Sequence, residues 1–144
     1  MKRRRQSVRP DDPDTLFAVA KRRPVPYEFV LDELTALEPV TRPMFGATAV
    51  YVDEKIVFIL REKGADADDG VWICTEHEHH ASLRRELPSL RSIEIFGSAG
   101  DTRWQIIPVT ADDFEDSVLR ACKLVRARDP RIGRTPKPKR PRRK

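Results

Sequence analysis

The chain has 144 residues, enough for one domain that closes an apolar core without disulfides or a structural metal, and too few for two domains with a proper core each. Its formal charge of +5 is unevenly spread: residues 1–9 hold five basic and no acidic residues, residues 131–144 hold eight basic and none acidic, and the other 15 Lys and Arg face all 23 Asp and Glu, which leaves 10–130 at net −8. A cationic end on an acidic body points to a polyanion touched by that end, or to an end that folds back on its own domain.

Cys74 and Cys122 stand far apart and match no metal spacing, as expected of free buried thiols in a reducing compartment. The longest apolar run, 56–60, is far too short to cross a bilayer. The basic opening leads into 10–14, with Pro10 and Pro13, where an export signal requires an apolar stretch. The expected location is the cytoplasm, with no membrane partner.

Residues 1–25 read as a basic, flexible arm with one short apolar patch at 16–20. The first helix is expected from Pro26, a good first-turn residue, with Tyr27, Val30, Leu31, Leu34 and Leu37 on one buried face and Pro39 ending it. Residues 44–52 and 55–61 are rich in β-branched and aromatic residues, and only Asp53 and Glu54 separate them, which predicts a tight hairpin without the glycine that such turns prefer. In the second of these strands Ile56, Phe58 and Leu60 should point one way and Val57 and Ile59 the other, as in a central strand covered on both faces. An acidic loop over 64–70 and a short strand over 71–74 follow.

Thr75 with Glu78 predicts a capping box opening a second helix, which places His80, Leu83 and Leu87 on one face before Pro88 closes it. Strands are expected over 92–96 and 103–109 around the turn signal at 97–101. Thr110 and Asp113 then open a last helix with the stripe Phe114, Val118, Ala121, Cys122 and Val125. The sum is an α+β domain over 26–130, with a mainly antiparallel five-stranded sheet and three helices in the order α-β-β-β-α-β-β-α. Residues 131–144 read as a disordered, Pro-rich basic tail.

The motif Arg42-Pro43-Met44-Phe45-Gly46, after an amphipathic helix and at the opening of a β-hairpin, resembles the N-terminal domain of TfoX/Sxy-type competence regulators. The strand carrying Trp104 and the helix beginning at Phe114, with Arg120-Ala121-Cys122-Lys123-Leu124-Val125, resemble the end of YjbR/MmcQ-like domains. Together the likenesses cover about 27–127. They imply an α+β scaffold and a protein either linked to DNA-related regulation or from a family without an assigned role, with no known catalytic residues. Physically, Gly46 permits close backbone approach or a bulge, and Met44 and Phe45 are expected to supply apolar packing.

All three histidines fall within 77–80, beside Cys74. His77 and His80, three apart on a helix, could face one ion with Cys74 as a soft third ligand. The spacing is not that of HExxH, since Ala81 stands four beyond His77, and a cap plus a buried His80 explains the cluster without a metal. No cofactor is expected, because the six glycines form neither GxxxxGK nor GxGxxG.

The strongest candidate element is the tail, where Arg134, Lys137, Lys139, Arg140, Arg142, Arg143 and Lys144 alternate with prolines that keep a chain extended. Such a chain can follow phosphates or enter a narrow minor groove. The leading expectation is therefore a non-enzymatic domain with weak, largely sequence-independent nucleic-acid binding through basic termini. The alternative is a protein-interaction adaptor with solubilising tails, and an enzyme or metal protein built on Cys74 and His77 to His80 ranks third.

Overall fold

The computed structural model describes residues 25–64, 66–94 and 103–135. Nearly all of the expected arm, the turn at 97–101, the end of the strand expected over 92–96 and the run 136–144 lie outside the described residues.

Among the described residues six strands form one sheet: β1 (Val40–Met44), β2 (Ala47–Val52), β3 (Lys55–Arg61), β4 (Gly70–Cys74), β5 (Arg91–Ser92) and β6 (Trp104–Pro108), in the spatial order β1-β2-β3-β4-β6-β5. Every neighbouring pair is antiparallel. With helices α1 (Phe29–Glu33), α2 (His80–Glu86) and α3 (Phe114–Arg126), the class, the antiparallel sheet and the three helices agree with the sequence reading, but the strand count and the order do not. The stretch expected as one strand over 44–52 is broken at Phe45 and Gly46, whose φ angles of 52° and 77° reverse the chain. Residues 40–44 therefore form an additional edge strand, where Pro43 is tolerated because one side needs no donor. Since β4 and β5 both run antiparallel to β6, they are parallel to each other, and α2 crosses between them with β6 inserted.

Strand β3 is buried from Ile56 to its end, as a central strand should be. Its alternation is broken, however: Val50 faces Phe58 and Tyr51 faces Ile56, so Val57 is an unpaired bulge residue. Val57 and Phe58 then both join the helix-side core, while Ile56 goes with Ile59 to the other face. That helix-side core sets Val30, Leu34, Leu83, Leu87, Val118 and Cys122 against the sheet. The opposite face gathers Ala49, Ile59, Trp72 and Ile106, with Trp104 inclined to Trp72 at 5.9 Å.

The first helix is shorter than its apolar period suggests. Tyr27 has φ 53°, which keeps it outside the helix, and its ring meets Phe114 edge-on at 5.3 Å while its hydroxyl donates to Arg61 O at 3.0 Å. After Glu33 the chain tightens into a 3-10 turn over Thr35–Leu37, and Glu38, at φ 54° before Pro39, ends it. Neither capping box forms. Thr75 Oγ1 donates instead to Arg131 O at 2.7 Å, and Asp113 accepts from Ser89 Oγ at 2.6 Å and Ser117 Oγ at 2.9 Å. The acidic loop is wired rather than solvated. Buried Asp69 accepts the N–H groups of Lys63, Gly64 and Asp66, and buried Asp68 accepts that of Glu94 with both oxygens at 2.9 Å.

Past Pro130 the chain is still part of the body. The Arg131 guanidinium meets Asp129 through Nε at 2.9 Å and Nη2 at 2.8 Å, and Glu86 through Nη2 at 2.7 Å. Ile132 enters the helix-side core. Gly133 N–H donates to Cys74 O at 2.9 Å, and Arg134 exchanges both backbone bonds with Ile56, at 3.0 and 3.1 Å. The boundary expected at Pro130 would cut through this clasp, so residues 131–134 belong to the body.

Arg131 holds the Asp129 carboxyl below its ordinary range, chiefly by side-chain hydrogen bonding. A group whose folded pKa is depressed adds stability above its unfolded pKa of about 3.9, and that stability is lost as pH falls through the folded value. Chemical unfolding at pH 7 and pH 3 should therefore show a greater acid loss for the natural chain than for Asp129→Asn. Equal losses would mean that ionised Asp129 adds nothing to the clasp.

Candidate functional site

Two places on the body combine charge with a defined backbone. The first is the root of the cationic run. Gly133 and Arg134 occupy the lane that β4 leaves vacant: β4 ends its pairing with β3 at Ile73 opposite Phe58, and Arg134 satisfies Ile56 beyond that point. Buried backbone donors and acceptors rarely stay unpaired, so this exchange fixes where the chain leaves the sheet. The Arg134 side chain is 39 % exposed and lies 3.5 Å from Glu76, which also meets Arg103 at 3.5 Å. Of the residues predicted to contact nucleic acid, Arg134 is thus placed on the body beside a carboxylate, while Lys137, Lys139, Arg140, Arg142, Arg143 and Lys144 lie outside the described residues.

The histidine cluster lies next to this root. A 3-10 turn over His77–His79 leads into α2, the rings of His77 and His80 are 5.0 Å apart, and His80 is buried while His77 is exposed. Among the described residues no three of His, Cys, Asp and Glu converge to hold an ion. Burial pushes the Cys74 thiol up to about 11 and the Cys122 thiol up to about 12, so both stay protonated at neutral pH, far from a reactive thiolate.

The second place is the β1–β2 hairpin, and here the sequence reading is corrected. Phe45 does not pack: it is 82 % exposed at the tip, in a left-handed conformation that costs a bulky L-residue about 1–2 kcal/mol. Gly46 completes the turn, and a Cβ there would collide with Lys63 Nζ, which lies against it. Beside the tip runs an open groove of about 610 Å³. Val25, Pro26, Thr41, Thr48, Glu62 and Lys63 are among the residues that line it. The Arg42 guanidinium lies over the Tyr51 ring at 5.5 Å. The signal that could have located this tip was present in the sequence: a glycine at the second of two residues between β-branched runs marks a primed turn, and the residue before it is then pushed outward.

Compared with family models, characterised proteins and solved structures, the chain gives no match in any of the three. No described helix is long and apolar enough to cross a membrane.

With Phe45 outside the core, Phe45→Ala should change unfolding free energy by less than about 1 kcal/mol, as for other surface substitutions. Gly46→Ala should cost about 1 kcal/mol or more, because φ 77° is imposed on a residue with a Cβ. Urea titrations of both variants check the pair. A loss above 3 kcal/mol for Phe45→Ala would place the ring in the core after all.

Proposed function

We propose that this chain is a non-catalytic module, of the TfoX-N-terminal/YjbR-like kind, that binds nucleic acid weakly and with little sequence preference through its cationic ends. The observation that carries the reading is the fixed root at Gly133 and Arg134, from which a run with six Lys and Arg and no carboxylate departs. Arg131 does not belong to this charge, because its guanidinium is already committed to Asp129 and Glu86. The described body holds 14 Lys and Arg against 19 Asp and Glu, a net of −5, so phosphate approaching it meets mainly repulsion unless the ends are engaged.

Contacts of this kind position a strand without reading it, since extended Lys and Arg side chains meet phosphate rather than base edges. The thiols stay protonated, which also favours a binding role over nucleophilic catalysis. Exposed Phe45 favours a second reading, in which the hairpin tip anchors a protein partner and the ends only solubilise.

Titration of labelled duplex DNA at two salt concentrations tests the proposal, with the full chain beside one cut after Thr135, a position beyond the backbone bonds that Gly133 and Arg134 make to the sheet. The full chain should bind with a slope of log K on log salt near −5 if all six charges of 136–144 meet phosphate. The cut chain should lose most of this affinity. Equal binding by both would move the site away from 136–144, onto the body or the basic segment 1–9.

A further inference from the structure

We infer that the β1–β2 hairpin tip is a contact for single-stranded nucleic acid, in which an unpaired base stacks on Phe45 and neighbouring phosphates meet Arg42 and Lys63. The inference rests on the nucleic-acid reading above and gives it a place on the folded body. Phe45 is far more exposed than any other large apolar side chain described, and its strained turn would be better served by Asn, Asp or Gly. Neither packing nor turn chemistry accounts for an aromatic ring there. What the position does provide is presentation: the ring stands at the end of a five-pair antiparallel ladder, on backbone fixed by a primed turn.

The surroundings select the occupant. Neither Arg42 nor Lys63 forms an ion pair with a carboxylate among the described residues, although seven other described arginines do. Tyr51 holds the Arg42 guanidinium from one side, and Gly46 leaves room for Lys63 Nζ beside the turn. An apolar partner protein would leave these two cations without compensation, whereas a strand supplies a ring for Phe45 and anions for both. Thr41 and Thr48 also line the groove. A duplex offers little to one protruding ring because its base faces are already stacked on each other. A single strand exposes them.

Fluorescence anisotropy with the full chain, over a series of low salt concentrations, compares a mixed-sequence single strand with a duplex of equal length. Phe45→Ala should weaken single-strand binding about tenfold and duplex binding less than about twofold, and Phe45→Trp should retain the single-strand affinity. Arg42→Gln and Lys63→Gln should each reduce the single-strand salt slope by about 0.7. Because Phe45, Arg42 and Lys63 are all exposed, these variants leave the fold intact. Unchanged single-strand binding by Phe45→Ala, or equal losses on both probes, would overturn the inference.

The chain cut after Thr135 separates the two ideas. If the cut abolishes binding and Phe45→Ala has no effect, the cationic run stands and the hairpin falls. If the cut chain keeps a Phe45-dependent affinity for single strands and the cut costs nothing on duplex, the hairpin stands and the run falls. Binding of neither probe by the full chain overturns both.

Discussion

Strand β3 is the constraint around which the body is arranged. Buried on both faces, it needs a complete set of backbone partners and side-chain cover on each side. β2 supplies one edge along its length, but β4 supplies the other only from Phe58 onward. The vacancy at Ile56 is filled by Arg134, from a segment far along the chain, and the helix-side cover near that end includes Ile132 from the same segment. The bulge at Val57 serves the same region by turning one more apolar side chain toward the helices. Closing the sheet and fixing the root of the cationic run are thus one event.

The clasp that delivers the root is electrostatic as well as apolar. Arg131 is held by Asp129 and Glu86 and touches Ser82, which ties the end of α3 to α2, and Thr75 holds the Arg131 carbonyl. A bidentate guanidinium–carboxylate contact fixes direction better than a lysine could. One cation of the basic segment is therefore structural. This division gives a physical sense to a basic end on an acidic domain: the clasp uses body carboxylates locally, and the remaining negative charge repels other polyanions from the surface.

Much of this architecture was legible in the sequence, and the exceptions have identifiable causes. The stripes of α2 and α3 were read correctly because Leu83, Leu87, Val118, Ala121 and Cys122 follow helical spacing without interruption. The turn at Asp53 and Glu54 was recognisable from its two-residue length, although both residues pay for the missing glycine with φ of 53° and 67°. What failed was whatever depended on tertiary partners. Tyr27 has the right spacing for a helix but is taken by Phe114 and Arg61, and Thr75 has the right neighbour for a cap but is taken by Arg131. Phe45 has the look of a core residue because aromatic residues in strands usually are, yet the glycine after it marks a tip. Arg134 could not be separated from the rest of the basic run, because its role is carried by backbone atoms that every residue has.

Native-state amide hydrogen exchange tests most directly whether the cationic run departs from a fixed root. Gly133 and Arg134 should be protected to the same degree as Ile56, since they close the same end of the sheet and should open only with it. Exchange of Gly133 and Arg134 at the rate of an unstructured peptide, with Ile56 still protected, would contradict the account.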